Sequence, residues 1–326
     1  MPKMNMVQAL NLAFHQEMEK DETVVVMGED VGVNGGVFRV TDGLYNAFGK
    51  ERVMDTPLAE SGIVGTAIGM AIGGLKPVAE MQFSGFAYIG FPQIENNAAR
   101  MRNRSRGQFT VPMVLRMPYG GGVRALEHHS ESKETYWAHT AGIKTVIPSG
   151  PRNARALLVA AIRDPDPVIF YEPKHSYRAF KEEVPEAEEV MELGKAQVTH
   201  EGTDLTVVTW GSMYHQTRRV VEEYMEQTGV SVELIDLLTI APMDYKTITA
   251  SVRKTGRCVV VQEAQRTLGP ASEIIALIND HALMYLEAPV KRVSMFDVTM
   301  PYFSREQMFM PTPKQIRRAM SETLDF

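Results

Sequence analysis

The chain has 326 residues, of which 44% are hydrophobic and 23% are charged, and its formal net charge is -6. This length predicts two domains of roughly 100 to 200 residues, each with enough apolar material for a core. The mild acidity excludes a bulk attraction to nucleic acids or anionic membranes, so we expect neither as a partner. The single cysteine, Cys258, excludes an internal disulfide and favours a reducing compartment.

The first predicted element is an N-terminal amphipathic helix. Val7, Leu10, Phe14 and Met18 recur at helical spacing. The segment carries acids and lacks both the apolar core of a signal peptide and the arginine-rich character of a transit peptide. We therefore expect a prokaryotic, cytoplasmic protein rather than one of the mitochondrial matrix. The longest apolar run, residues 62–75, is shorter than the ~20 residues of a membrane-spanning helix.

Strands and helices then alternate along the first part of the chain. The β-branched runs TVVVMGED, KPVAEMQF, VPMVLRMP, KTVIPSG and PVIFYEP predict strands that are buried on both faces. The segments SGIVGTAIGMAIGG, PQIENNAARMRNR and PRNARALLVAAIRD predict the intervening helices. This alternation is typical of a mostly parallel α/β sheet.

The pattern breaks near residue 182, where the acid-rich EEVPEAEEVMELG has no clean period. A second α/β series starts at Asp204, with strands predicted in DLTVVTWG, VSVELIDLLTI, CVVVQEA and VKRVSMFD. Helices are predicted over residues 214–227, after Pro242 and in PASEIIALINDHAL. The predicted organisation is therefore an α/β domain over 1–185, a linker over 186–203 and a second α/β domain over 204–326.

Familiar motifs are absent. There is no G-x-G-x-x-G or G-x-x-x-x-G-K-[ST] phosphate loop, no H-E-x-x-H and no G-x-S-x-G. The arginines of RMRNRSRG have no interleaved aromatic residues, so a solvated helix end or a subunit contact is favoured over nucleic-acid binding.

The stretch DTPLAESGIVGTAIGMAIGG places one carboxylate, Glu60, before a glycine-spaced helix. Gly62, Gly65, Gly69 and Gly73 recur at intervals of three and four, which predicts a smooth face that a second backbone or a flat ligand can approach. Tight helix packing explains the glycines alone, and a helix-start carboxylate favoured by the dipole explains Glu60. Both interpretations stay open beside a ligand-binding role.

A second candidate segment is GGGVRALEHHSESKETYWAH. A glycine-rich loop follows a predicted strand and carries His128 and His129. The ends of parallel strands are where α/β proteins usually bind ligands. A surface loop with polar histidines is the alternative interpretation. Because the adjacent histidines project in different directions, at most one is expected to face a given site.

Taken in order, MGEDVG, DTPLAESGIVGTAIGMA, AEMQF, GFPQIENNAA, EHHSES, GIKTVIPSGP and AAIRDPDPVIFYEPK strongly resemble the beta subunit of the decarboxylating component of 2-oxo acid dehydrogenase complexes. The resemblance covers essentially the whole chain. It implies two parallel-sheet α/β domains, namely an N-terminal thiamine-pyrimidine-binding domain and a transketolase C-terminal-like domain that serves subunit and complex contacts.

The resemblance also implies cofactors and partners. In that family, thiamine diphosphate sits between two kinds of subunit, and the alpha chain holds the diphosphate through magnesium with a motif that this sequence lacks. The implied assembly is an α2β2 heterotetramer that serves a lipoyl-bearing acyltransferase core. Glu60 matches the glutamate that hydrogen-bonds the pyrimidine ring nitrogen, and Leu58, Gln82 and Phe86 match the cofactor pocket. His129 matches the histidine that faces the thiazolium, although His128 departs from the commoner residue at its place.

Some relatives bind potassium through backbone oxygens, and the matching positions are Met113, Ala161, Ile162, Asp164 and Asp166. The segment FYEPKHSYRAFKEEVP is most similar to the branched-chain type. We therefore expect oxidative decarboxylation of a branched-chain 2-oxo acid with acyl transfer to a lipoyl domain. A pyruvate or acetoin dehydrogenase beta subunit and a non-catalytic scaffold of the same fold are the alternatives.

Overall fold

The computed structural model describes residues 1–326, which form two compact units. One comprises Met1–Tyr119 and Tyr136–Leu193, and the other comprises Gly120–Thr135 and Gly194–Phe326. The α-helices are Met6–Lys20 (α1), Leu44–Phe48 (α2), Glu60–Ile72 (α3), Phe91–Gln93 (α4), Met101–Arg104 (α5), Glu134–Ala138 (α6), Pro151–Arg163 (α7), Ser212–Thr228 (α8), Tyr245–Thr255 (α9), Pro270–Ala282 (α10), Glu306–Phe309 (α11) and Pro313–Leu324 (α12).

The strands are Lys3–Met4 (β1), Val24–Gly28 (β2), Val53–Asp55 (β3), Lys76–Glu80 (β4), Val114–Tyr119 (β5), Lys144–Val146 (β6), Val168–Pro173 (β7), Glu182–Glu183 (β8), Gln197–His200 (β9), Leu205–Thr209 (β10), Val232–Asp236 (β11), Thr239–Ala241 (β12), Cys258–Gln265 (β13) and Lys291–Met295 (β14). Short 3-10 turns cover Ser84–Gly90, Glu127–His129, Lys174–Ser176 and Leu283–Tyr285, and a π-helical turn covers Ile94–Ala98. None of the helices combines the length and the apolarity that crossing a membrane requires.

In the first unit, six strands lie side by side in the order β6, β7, β5, β4, β2, β3, and all neighbouring pairs are parallel. The central strands β2, β5 and β7 are buried along their whole length, as their continuous apolar runs predict. The carboxyl ends of these strands therefore share one edge of the sheet, which is the edge that α/β proteins use for ligands.

Helices α1 and α7 pack against each other in the same unit. Helix α1 buries Leu10, Phe14 and Met18, which confirms the predicted apolar face, and Asn5 with Gln8 forms a capping box at its start. The Arg163 guanidinium at the end of α7 donates to Glu17 of α1, with an Nη2 to Oε1 distance of 2.7 Å.

In the second unit, the strand order is β14, β13, β10, β11, β9, with β9 antiparallel to its neighbour and the other pairs parallel. Helices α8 and α12 cover this sheet, and Val221, Ile316 and Met320 pack in the same core as Val207 and Leu234. This unit is a second, separate α/β core.

The predicted alternation of strands and helices is confirmed in both units. Two differences are informative. The helix predicted from Pro92 is broken into α4, a π-helical turn and α5. Strand β9 lies in the segment that the sequence predicts to be a linker. Its residues have no apolar pattern that would predict a strand, and they adopt this conformation because they pair with β11.

Candidate active site

Glu60 is the first residue of α3, which follows the carboxyl end of β3 in the parallel sheet of the first unit. The residue is only 9% exposed. No side chain caps this helix, so the amides and the dipole of the first turn favour a carboxylate at Glu60. The fold thus places a largely buried acid at the ligand edge of the sheet.

Phe86 lies on the 3-10 segment Ser84–Gly90, which packs against α3. The approach is close, because a Cβ atom on Gly90 would lie 2.8 Å from Cγ2 of Val64 and 3.6 Å from the backbone oxygen of Glu60. The half-buried ring of Phe86 lies 5.5 Å from the ring of Phe83, at an interplanar angle of 75°. The structure therefore brings the acid and this aromatic segment together.

Gln82 is half-buried beside the same segment, and its Nε2 donates to Oδ2 of Asp30 over 3.3 Å. Asp30 follows β2 and has a φ of 58°, so the turn after that strand has an unusual backbone. Leu58, two residues before Glu60, exposes 78% of its surface. Leu58 thus neighbours Glu60 along the chain, and Gln82 contacts the turn that follows β2.

Glu29 is an acid that sequence reasoning missed as a site residue. Burial raises its pKa, and the nearby charges of Glu60 and Asp30 raise it further. Its position directly after the buried strand β2 was the available signal, since the carboxyl end of that strand points to the ligand edge. Perturbed carboxyl groups of this kind are characteristic of functional sites.

The glycine face of α3 is open in this chain. Gly62 and Gly69 are exposed, and a Cβ atom on Gly69 would meet no atom within 4 Å. A largely buried carboxylate, a half-buried aromatic ring and an open glycine face supply a hydrogen-bond acceptor, a stacking surface and room for close approach. This set fits a flat nitrogen heterocycle such as an aminopyrimidine.

His128 and His129 lie in the 3-10 turn Glu127–His129 of the second unit. His128 is exposed, whereas His129 is half-buried and its Nδ1 atom is buried. The two neighbours therefore have different surroundings. The turn belongs to the loop Gly120–Thr135, which is grouped with the C-terminal residues rather than with the strand that precedes it.

The five positions proposed for potassium all belong to the first unit. The carbonyl of Ala161 accepts from Asp164 N over 3.3 Å, and the carbonyl of Met113 accepts from Val168 N over 2.9 Å. The Lys144 ammonium contacts both carboxylate oxygens of Asp164 at 2.6 Å. No group of three His, Cys, Asp or Glu side chains in the chain is arranged to hold a metal ion.

Comparison with known proteins identifies the family of the chain. Residues 2–179 match the family model "Transketolase, pyrimidine binding domain", and residues 194–316 match "Transketolase, C-terminal domain". The chain is 54% identical over 311 residues to the pyruvate dehydrogenase E1 component subunit beta of Acholeplasma laidlawii, covering 95% of each chain. It is 49% identical over 326 residues to the protein of the same name from Bacillus subtilis, covering 100% of each.

The fold is also that of a solved split-gene transketolase, described as an inactive beta4 tetramer. The two structures align with a TM-score of 0.80 over 99% of each chain, at 19% sequence identity. The predicted fold, with an N-terminal pyrimidine-binding domain and a transketolase C-terminal-like domain, is confirmed.

Proposed function

We propose that this chain, which belongs to the family of beta subunits of the decarboxylating component of 2-oxo acid dehydrogenases, supplies half of a thiamine diphosphate-dependent active site. The observation that carries the proposal is the placement of Glu60. This acid is largely buried at the start of α3, and the aromatic segment with Phe86 packs on the same helix. Such a site suits the aminopyrimidine ring of the cofactor.

In this proposal, Glu60 hydrogen-bonds the pyrimidine ring nitrogen and holds the proton shared with it. Phe86 packs against the ring, Gln82 and Leu58 border it, and Glu29 lies within electrostatic reach of Glu60. Thiamine diphosphate, when bound, supplies the electron sink for decarboxylation. His129 orients the 2-oxo acid and moves a proton during acyl transfer to a lipoyl sulfur.

The second half of the site comes from an alpha subunit, which holds the diphosphate through magnesium. Two observations support this partner. The chain contains no phosphate-loop motif, and the glycine face of α3 is exposed and open to a second backbone. We propose an α2β2 assembly that passes the acyl group to a lipoyl-bearing acyltransferase core. The potassium site at Met113, Ala161, Ile162, Asp164 and Asp166, and the cytoplasmic location, remain predictions.

We propose pyruvate as the substrate, because the two relatives named above carry pyruvate in their names and match over nearly the whole chain. The segment FYEPKHSYRAFKEEVP favours a branched-chain 2-oxo acid, which is the second candidate. A non-catalytic scaffold of this fold is disfavoured, because binding to a partner alone does not require a largely buried carboxylate at Glu60.

The experiment is to purify the tagged chain from its own cells and to measure the native mass, the composition and the turnover of pyruvate and 2-oxoisovalerate. We expect two copies of this chain with two of a diphosphate-binding chain, and a higher kcat/KM for pyruvate. A preference for 2-oxoisovalerate would overturn the substrate proposal. A homodimer that takes up thiamine diphosphate alone would overturn the shared site.

A further inference from the structure

The loop Gly120–Thr135 carries both histidines but has little regular structure of its own. Apart from the turn Glu127–His129, it has no helix or strand before Glu134. Gly120, Gly122 and Arg124 all have φ values between +58° and +88°. Within the loop, Gly120 N donates to the Glu131 carbonyl over 3.2 Å, and His129 N and Ser130 N donate to the carbonyls of Leu126 and Glu127. Contacts with the surrounding structure add to these bonds in holding the loop in one conformation.

One such contact is Glu263, on β13 of the same unit, which is 2% exposed. Its Oε1 accepts from Gly121 N over 2.7 Å and from the Ser132 hydroxyl over 2.6 Å. Its other oxygen, Oε2, accepts from the hydroxyl of Ser212 at the start of α8. A single buried carboxylate thus ties the beginning and the end of the histidine loop to the sheet.

A second buried carboxylate, Glu306, lies at the start of α11 and is 0% exposed. Its Oε1 accepts from Gly122 N over 2.8 Å, and its Oε2 accepts from Arg124 N over 2.6 Å. Hydrogen bonds from backbone N–H groups to an ionised carboxylate are among the stronger ones in proteins. The nearby Tyr302 hydroxyl also hydrogen-bonds Glu127, in the histidine turn itself.

The glycines of the loop are required by these two carboxylates. A Cβ atom on Gly120 would lie 2.9 Å from Oε1 of Glu263. A Cβ atom on Gly121 would lie 3.1 Å from Oε1 of Glu306 and 3.0 Å from Sδ of Met310. The glycine run therefore lets the backbone approach two buried charges that lie 142 and 184 residues later in the chain.

We infer that Glu263 and Glu306 are positioning residues, which fix the loop so that His129 is presented to the reaction. This inference rests on the role proposed above for His129. It gives the C-terminal unit a part in catalysis in addition to subunit contacts. Each carboxylate accepts hydrogen bonds from two or more donors. A change to glutamine replaces one carboxylate oxygen by an amide NH2 group, which removes one acceptor and places a donor against the donor that it bound.

The first test measures how readily the loop opens and does not depend on enzyme activity. The full-length chain and its Glu263→Gln and Glu306→Gln variants are treated with trypsin, and the rate of cleavage after the exposed Arg124 is followed by mass spectrometry. We expect cleavage to accelerate about tenfold in both variants, because the freed loop opens more often. Glu322→Gln, which alters an exposed acid on α12, is the matched control and should leave the rate unchanged. Equal rates in all four proteins would overturn the inference.

The second test uses the assembled enzyme and compares Glu306→Gln, His129→Ala and the double variant. We expect kcat for acyl transfer to fall in each single variant, by up to roughly 100-fold, while KM for the lipoyl domain stays the same. The double variant should show no further loss, because both changes remove the same interaction.

The outcomes separate the two proposals. If His129→Ala lowers acyl transfer and Glu306→Gln does not, the positioning role is wrong and the role of His129 stands. If His129→Ala leaves acyl transfer unchanged, the proposed role of His129 is wrong and the inference drawn from it falls as well. Additive losses in the double variant would show that Glu306 acts elsewhere.

Discussion

Glu134 and Trp210 form a buried hydrogen bond, in which the indole Nε1 donates to Oε1 of the carboxyl group over 3.2 Å. The other oxygen, Oε2, is buried without a hydrogen-bond partner. Burial raises the pKa of Glu134 from 4.5 to about 7, and the charge of Glu263 contributes to the rise. Between about pH 4.5 and about pH 7 the native protein therefore holds a proton on Glu134 that the unfolded chain has lost.

This relationship predicts that stability falls as the pH rises from about 4.5 to about 7. Below that window both the native and the unfolded state bind the proton, and above it neither state does. Raising the pH across the window therefore removes about 3 kcal/mol of stability. Replacing Glu134 by glutamine removes the titration. We expect the melting temperature of Glu134→Gln to vary less between pH 5 and pH 8 than that of the unchanged protein. Glu201→Gln, at an exposed acid, is the control, and an equal slope in all three proteins would contradict the prediction.

A second prediction concerns Arg116, which is 1% exposed between Glu172 and Glu80 in the first unit. Its Nε and Nη2 atoms donate to the two oxygens of Glu172 over 2.7 and 2.6 Å. Arg116→Met leaves both carboxylates buried without their cation, so we expect a loss of about 3 to 5 kcal/mol in the free energy of unfolding. Urea denaturation measures it.

The matched control for that change is Arg152→Met. Arg152 pairs with Glu189 at the surface, where its side chain is 52% exposed. Exposed pairs contribute about 0 to 1 kcal/mol, so this variant should lose little stability. Comparable losses in both variants would show that the burial of Arg116 does not govern its contribution.

Much of the fold can be predicted from the sequence, because most strands and helices are indicated by local patterns of residues. The run GIVGTAIGM and the acid before it indicate α3 and Glu60 without knowledge of any distant residue. Glu263 and Glu306 could not be found in that way, since their partners are backbone amides that folding brings from 142 and 184 residues away. Strand β9 was missed for a related reason, because its conformation depends on its pairing with β11.

The third prediction is that Glu60→Gln lowers decarboxylation in the assembled enzyme by roughly 100-fold or more, because an amide cannot exchange a proton with the pyrimidine nitrogen. The substitution is nearly isosteric, so the assembly and the melting temperature should be retained. Reduction of an artificial electron acceptor by the 2-oxo acid measures decarboxylation. Glu51→Gln, at an exposed acid, serves as the control. Undiminished turnover in Glu60→Gln would remove the proposed role.

The fourth prediction separates the adjacent histidines. His129 is half-buried and His128 is exposed, so we expect His129→Ala to lower acyl transfer by about 100-fold and His128→Ala to change it little. Transfer of the acyl group to an isolated lipoyl domain is the measurement. A loss confined to His128→Ala would mean that the other side chain faces the reaction.

The last prediction concerns the glycine face of α3. Gly69 is exposed and has open space around it in this chain, whereas glycine inside a helix costs up to about 1 kcal/mol relative to better helix formers. Gly69→Leu should therefore raise the melting temperature of the isolated chain. If an alpha subunit packs closely on this face, the added side chain must also block its approach, and we expect the α2β2 assembly to be lost on size-exclusion chromatography.

Gly69→Ala is the matched variant, because alanine gives a similar gain in helix stability and adds only a methyl group. It should stabilise the isolated chain while weakening assembly less than Gly69→Leu does. Normal assembly of Gly69→Leu would show that no partner contacts this face. The exposed glycines would then need an explanation within this chain. At Gly69 the chain offers none, because a Cβ atom there would meet no neighbour within 4 Å.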